Sequence, residues 1–209
     1  CVGSNLAITL LHQGVEVVGL CHPSAPTDAI EGLKIQRVRG DLLNPASLLP
    51  ALQAVDWVFH VAAIADDWKY PPERVYATNV QGTRHLLAAA LQAGVERFVY
   101  VSSAAALGGP RPEQPLLDET SPFNFQPAEW PYAHSKLLAE QAVQEYVHLG
   151  LPALSVLPTA ILGPADSAMI SGQLILRAAR RQLFPLPHGG LSLLLFALTA
   201  ARAGPSAAG

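Results

Sequence analysis

The fold is decided by the stretch Arg97-Phe98-Val99-Tyr100-Val101, which runs directly into Ser102-Ser103. A short, continuous apolar run that stops at polar residues is typical of a strand buried in a parallel sheet. Similar runs recur along the chain, and stretches with helical periodicity separate them. The sequence predicts strands at 15–20, 34–38, 57–61, 97–101 and 153–157, and helices at 5–12, 45–52, 71–93, 131–149 and 172–182.

Strands that alternate with helices at this spacing predict right-handed crossovers, and therefore a doubly wound α/β fold. Its parallel sheet would be covered by helices on both faces. The helix boundaries carry their own signals. Asn44 is the expected N-cap of the 45–52 helix, with Pro45 at its first position, and Gly94 and Gly150 would close the two long helices.

Composition narrows the class of protein. Half of the 209 residues are hydrophobic, 14% are charged and the net charge is −3, so no basic surface for nucleic acid is predicted. The two cysteines, Cys1 and Cys21, show no metal or redox spacing, which favours the reducing cytoplasm. The most apolar run, 191–201, is shorter than the roughly 20 residues of a membrane span.

Tyr132 and Lys136 form the strongest candidate for catalysis. They are four residues apart on a predicted helix, so the phenol and the ammonium share one face. A nearby cation favours the phenolate and lowers the tyrosine pKa, as proton exchange with a substrate hydroxyl requires. The alternative is a surface tyrosine that happens to lie beside a lysine.

Ser102 and Ser103 directly follow the 97–101 strand. They would therefore lie at the carboxyl edge of the sheet, where open α/β folds bind their ligands. A serine hydroxyl there can donate to a carbonyl oxygen that gains charge as hydride arrives. The alternative is that the two serines merely end the strand.

Several motifs follow one another in the order of one known family. The stretch from Val99 to Gly108, followed by Tyr132 and Lys136, resembles the extended short-chain dehydrogenase/reductase superfamily, also described as NAD-dependent epimerases and dehydratases. The closest similarity is to dihydroflavonol-reductase-like proteins and hopanoid-associated sugar epimerases. Further matches are Val2-Gly3-Ser4-Asn5-Leu6, Gly40-Asp41-Leu42, His60-Val61-Ala62-Ala63, Asn79-Val80-Gln81-Gly82-Thr83, Leu157-Pro158-Thr159 and Gly163-Pro164.

The resemblance implies a Rossmann-like domain and a role for each matching residue. Tyr132 would be the general acid and base, and Lys136 would lower its pKa and hold the nicotinamide ribose. Ser103 would polarise the reacting carbonyl. The remaining cofactor contacts that it implies are Gly3, His22, Asp41, Leu42, Ala62, Ala63, Ser102 and Pro158. For Asn79 and Gly82 the alternative is purely structural, because a glycine inside a helix usually marks close packing.

The pattern is incomplete at both ends. In the family, a glycine-rich turn after the first strand holds the pyrophosphate, and Gly3 matches only the last of its glycines. We therefore expect the sequence to begin inside a longer protein and this chain alone to bind NAD(P)H poorly. Residues 1–168 would form the dinucleotide-binding domain, and 169–209 the start of a substrate lobe with a Leu-, Ala- and Gly-rich tail.

The cofactor is expected to be NAD or NADP. His22 occupies the position where related reductases often carry an arginine, which slightly favours NADP. No metal is expected, because the histidines show no ligand spacing and are interpreted as core or surface residues. Asp66 and Asp67 are interpreted as a solvated pair on a loop.

The predicted function is an oxidoreductase, or a sugar epimerase or dehydratase, that acts on a hydroxyl or carbonyl group of a small molecule. Two alternatives are a non-catalytic dinucleotide-binding protein and an inactive fragment of such an enzyme. Neither nucleic acid nor membrane is expected as a partner. Homodimers through the 71–93 and 131–149 helices are expected from the resemblance.

Overall fold

The computed structural model of the chain describes residues 2–164, 166, 172–182 and 193–195. Its helices are α1 (Val2–His12), α2 (Pro72–Tyr76), α3 (Gly82–Ala93), α4 (Pro131–His148) and α5 (Gly172–Ala179). Its strands are β1 (Val18–Cys21), β2 (Gln36–Arg39), β3 (Trp57–His60), β4 (Arg97–Val101), β5 (Ala153–Val156), β6 (Ala160–Leu162) and β7 (Leu193–Leu195).

The chain divides into two compact units. The first consists of Cys1–Gly19, Ala25–Arg37 and Ala160–Gly209, and the second of Leu20–Ser24 and Val38–Thr159. The domain boundary expected near residue 168 falls outside the described residues.

The first unit contains α1, α5 and the parallel pair of β6 and β7. The side chain of Asn5 is fully buried, and its Nδ2 donates to the carbonyl of Pro164 at 2.8 Å. Helix α1 closes at Gly14, whose φ of 77° places it in the left-handed region that favours glycine.

The second unit is built on the parallel sheet β3-β4-β5. One face of this sheet packs against α3 and α4, and Phe98 and Tyr100 lie fully buried there. On the opposite face Val99 is half-buried and Leu154 remains 42% exposed. The parallel α/β architecture is therefore confirmed, whereas β4 alternates in burial more than its continuous apolar run predicts.

Two predicted helices are interrupted or shorter than expected. The 45–52 segment forms two 3-10 turns, Pro45–Ser47 and Pro50–Leu52, because Pro50 lacks the N–H that a continuous α-helix requires. The side chain of Asn44 makes no capping bond. The backbone carbonyl of Asn44 instead accepts from the Ser47 hydroxyl at 2.7 Å. The 172–182 helix is shorter than predicted and ends at Ala179.

The 71–93 helix is continuous in its helical path but changes type within it. A π-helical turn at Ala77–Gln81 joins α2 to α3. Gly94 ends α3 in the left-handed conformation, with φ 71°, as predicted. Gly150 likewise follows α4 with φ 100°.

Candidate active site

Helix α4 presents the predicted acid–base pair to the end of β4. Lys136 is only 2% exposed, and its Nζ donates to the carbonyl of Val101 at 2.9 Å. The same Nζ lies 4.8 Å from the centroid of the Tyr100 ring. Tyr132 is half-buried one turn earlier on the helix. The structure therefore places a buried ammonium one helical turn after a half-buried tyrosine.

Burial sets the electrostatics of this lysine. Removal from water lowers the pKa of Lys136 to about 8, and the carboxylate of Glu140 acts in the opposite direction. The ammonium is therefore only moderately favoured near neutral pH.

The two serines after β4 have different surroundings. Ser102 is buried, its N–H donates to the carbonyl of Val156 at 2.8 Å, and its hydroxyl donates to Glu140. Ser103 caps the 3-10 turn Ala104–Leu107, and its Oγ accepts from the N–H of Ala105 at 3.2 Å. Both serines therefore have defined orientations at the carboxyl edge of the sheet.

Pro158 lies at the same edge. Its carbonyl accepts from the N–H of Ala104 at 2.8 Å, which joins the segment after β5 to the turn that Ser103 caps. The structure thus places Pro158 next to the turn that Ser103 caps.

Asn79 connects the segment after β3 to α4. Its side chain accepts from the N–H of Ile64 at 2.8 Å, and its Nδ2 donates to the carbonyl of Ile64 at 3.0 Å and to the hydroxyl of Ser135 at 2.9 Å. Ser135 in turn donates to the carbonyl of Tyr132 at 2.7 Å. This π-turn asparagine therefore links the backbone after Ala63 to the helical turn that carries Tyr132.

His60 extends the same buried network. The Thr83 hydroxyl donates to the carbonyl of Asn79 at 2.6 Å, so its oxygen accepts from His60 Nε2 at 2.8 Å. This assigns the proton of the imidazole to Nε2. Burial, followed by the charge of Lys136, lowers the pKa of His60 to about 3. Of the two interpretations, core or surface residue, the structure agrees with the core for His60.

His22, Asp41 and Leu42 lie together after β1 and β2. His22 Nε2 is 3.5 Å from the Asp41 carboxylate, and Nδ1 accepts from the N–H of Ser24 at 3.2 Å. A Cβ on Gly82 would lie 2.8 Å from the Cβ of Leu42. The packing explanation for Gly82 therefore agrees with the structure.

The remaining implied cofactor contacts are three small residues. Ala62 is exposed and Ala63 half-buried after β3. Gly3 lies in the first turn of α1, in the first unit, whereas the other site residues belong to the second unit.

Two features escaped the sequence analysis. Glu140 lies one turn beyond Lys136 and accepts from Ser102, and its spacing on the predicted helix was an available signal. The second is a group of rings at the amino-terminal end of α4. Its closest stacked pair, Phe125 and Trp130, has centroids 4.7 Å apart, and Phe123 lies edge-on to Phe125 at 5.8 Å. The members of this aromatic group are Tyr76, Phe123, Phe125, Trp130 and His134.

The interpretation of Asp66 as a solvated residue is wrong. The side chain of Asp66 is only 14% exposed and pairs with Lys69, because the 3-10 turn Asp67–Lys69 brings the lysine back over it. Within the described residues, no group of histidine, cysteine or acidic side chains could hold a metal ion. None of the helices in that part of the chain is long and apolar enough to cross a membrane.

Comparison with known proteins shows the family of the chain. The profile of the NAD dependent epimerase/dehydratase family matches residues 1–199. The chain belongs to this family. The chain is similar to a Synechocystis protein named "Putative dihydroflavonol 4-reductase", with 38% identity over 92% of this chain and 56% of that protein. A 3-beta-hydroxysteroid dehydrogenase of Mycolicibacterium neoaurum is 34% identical over 80% of this chain and 47% of its own length.

Solved structures show the same fold. The UDP-glucose 4-epimerase of Thermus thermophilus, determined with NAD, has a TM-score of 0.75 and 27% identity over 87% of this chain and 59% of that chain. This chain therefore spans about half the length of the family members that it matches.

Proposed function

We propose that the protein is an NAD(P)-dependent oxidoreductase that interconverts a hydroxyl and a carbonyl group. The observation that carries the proposal is the buried ammonium of Lys136, held on the Val101 carbonyl one helical turn from Tyr132. A buried charge is costly to maintain, and such groups are concentrated at functional sites.

Residues that follow β2, β3 and β4 fit a nicotinamide dinucleotide. Asp41 offers a carboxylate to a ribose or an adenine, and the small side chains of Ala62 and Ala63 leave room beside β3. Lys136 has three N–H groups, of which one is donated to Val101, so the others suit ribose hydroxyls. When bound, the nicotinamide supplies or accepts the hydride.

The chain's own residues would manage the proton and the developing charge. The phenol of Tyr132 would give its proton to the substrate oxygen during reduction and take it back during oxidation. The Lys136 cation would stabilise the phenolate that remains. Ser103 accepts from Ala105 with its oxygen, so its own O–H would donate to the substrate oxygen.

The aromatic group supports an apolar substrate. Phe123, Phe125 and Trp130 gather at the end of α4 that also carries Tyr132, and Trp130 is 50% exposed. Relatives whose names refer to dihydroflavonol and hydroxysteroid substrates favour the same class. We therefore propose a cyclic or aromatic ketone, or the corresponding alcohol, as the substrate.

Epimerisation of a nucleotide sugar is the second candidate. The likeness to the Thermus UDP-glucose 4-epimerase favours it. An epimerase returns the hydride to the same sugar, so it produces no net change in the redox state of the cofactor.

Absorbance at 340 nm separates the two candidates. The full-length protein would be incubated with NADH and, in parallel, with NADPH, and a panel of apolar cyclic ketones would be added. The proposal expects cofactor oxidation that depends on the ketone. Interconversion of UDP-sugars with constant absorbance, and no reaction with any ketone, would instead establish the epimerase.

A further inference from the structure

Glu140 is the acidic residue of α4 that lies closest to the proposed reaction apparatus. It follows Lys136 by one helical turn and is half-buried, and its carboxylate accepts the hydroxyl of Ser102. The next acidic residue of the helix, Glu145, is instead exposed and pairs with Arg84 on the outside of the unit. The two glutamates of this helix therefore have different polar partners.

Glu140 and Lys136 hold two consecutive residues at the end of β4. The Lys136 ammonium donates to the carbonyl of Val101, and the Glu140 carboxylate accepts from the side chain of Ser102. Ser103, which would polarise the substrate, comes directly afterwards. Any movement of α4 along the strand would thus be transmitted to the peptide that precedes Ser103.

The environment of the Lys136 ammonium favours a carboxylate nearby. The Lys136 ammonium lies 4.8 Å from the centroid of the Tyr100 ring, its charge helps to lower the pKa of His60, and Glu140 contributes the opposite charge. An ammonium in such a position is poorly solvated, so a nearby anion stabilises it appreciably.

Glu140 itself has three polar neighbours. Burial raises the pKa of Glu140, the Ser102 hydroxyl and the Lys136 charge lower it, and Glu119 raises it. Glu140 also lines a groove of about 830 Å³ along α4 and β5, together with Glu119 and Glu145. Water in this groove can solvate the carboxylate, whereas Lys136 does not line the groove.

We propose that Glu140 is a positioning residue for the reaction: its carboxylate supplies the countercharge of the Lys136 ammonium and fixes the end of β4 through Ser102. The inference rests on the proposed function, since it assigns a role within the same site. Its consequence is that the Lys136 ammonium loses its proton more readily once the Glu140 charge is removed.

An NMR titration of Lys136 tests the proposal without any turnover. The chain contains three lysines, Lys34, Lys69 and Lys136, so ¹³Cε-lysine labelling gives a spectrum that single substitutions can assign. In Glu140→Gln the midpoint of the Lys136 titration should move down by about one pH unit, because an opposing charge has been removed. Glu145→Gln, the matched control on the same helix, should leave the midpoint unchanged.

Two further measurements keep the test decisive. Ser102→Ala retains the charge and removes the hydrogen bond, so Lys136 should titrate as in the wild type. If Glu140→Gln does not fold, the unmodified protein still answers the question, because the Lys136 ε-carbon should show a second inflection when Glu140 titrates. A Lys136 midpoint equal in Glu140→Gln and wild type, or no second inflection, would overturn the role of Glu140 and leave the proposed function untouched.

Discussion

The burial of Lys136 disfavours its charged form and at the same time places an ammonium at the proposed site. It is 2% exposed, and burial lowers its pKa to about 8. The sequence predicted its partner Tyr132 from their spacing, because i and i+4 positions always share a helix face. It could not predict the burial, which depends on β4 and the Tyr100 ring being brought against α4 by the tertiary fold.

The lowered pKa makes a prediction about stability and pH. Between about pH 8 and 10.5 the unfolded chain keeps the Lys136 proton and the folded chain loses it, so stability from this group rises with pH. Lys136→Met removes that dependence. Across this interval the free energy of unfolding of the wild type should rise by up to about 3 kcal/mol relative to that of Lys136→Met, since one pKa unit corresponds to about 1.4 kcal/mol.

Urea denaturation at pH 7.5 and pH 10 measures this difference directly. Lys34→Met, which replaces an exposed lysine, serves as the control and should track the wild type at both pH values. A constant difference between the wild type and Lys136→Met would contradict the buried, perturbed ammonium.

At the scale of elements, the sequence predicted most strands and helices but not their irregularities. Strand β4 has the bounds that its apolar run predicted, and Gly94 ends α3 as expected. The π-turn at Ala77–Gln81 was not predictable, because it is fixed by Asn79 contacts to residues 15 and 56 positions away. Local periodicity contains no information about such distant partners.

Gly82 provides the test at this scale. Alanine inside a helix is ordinarily better than glycine by about 1 kcal/mol. At Gly82, however, the new Cβ would lie 2.8 Å from the Leu42 Cβ, which is bound to the backbone and cannot turn aside. Gly82→Ala should therefore destabilise the protein by about 1–3 kcal/mol, as overpacking does.

The matched control for Gly82→Ala is the opposite exchange on the exposed side of the same helix. Ala88→Gly should cost only the usual propensity difference of about 1 kcal/mol in the same denaturation experiment. If Gly82→Ala proved stabilising, the close packing of α3 against the Leu42 segment would be refuted.

At the scale of the whole molecule, one rule located most of the candidate site. The carboxyl ends of parallel strands meet at one edge, and in the structure Pro158 is bonded there to Ala104, the residue after Ser103. The same rule says nothing about side chains that approach from a helix or a long loop. Glu140 and the aromatic group therefore became visible only in three dimensions.

The implied cofactor contacts belong to both units, whereas Ser103, Tyr132 and Lys136 all belong to the second unit. Gly3 lies in α1 of the first unit, and the other implied contacts lie in the second. The chain also spans about half the length of its relatives. The central claim is therefore the acid–base role of Tyr132, beside the buried lysine.

The most direct test of that claim compares Tyr132→Phe with Tyr146→Phe in the full-length protein, measured as ketone-dependent oxidation of NAD(P)H. Both changes remove one hydroxyl from α4, but only Tyr132 lies one turn from Lys136. The account predicts a 10²–10⁴-fold loss of kcat, roughly the contribution of general acid–base catalysis, for Tyr132→Phe alone. Cofactor affinity should be unchanged in both variants. Wild-type turnover in Tyr132→Phe would contradict the account.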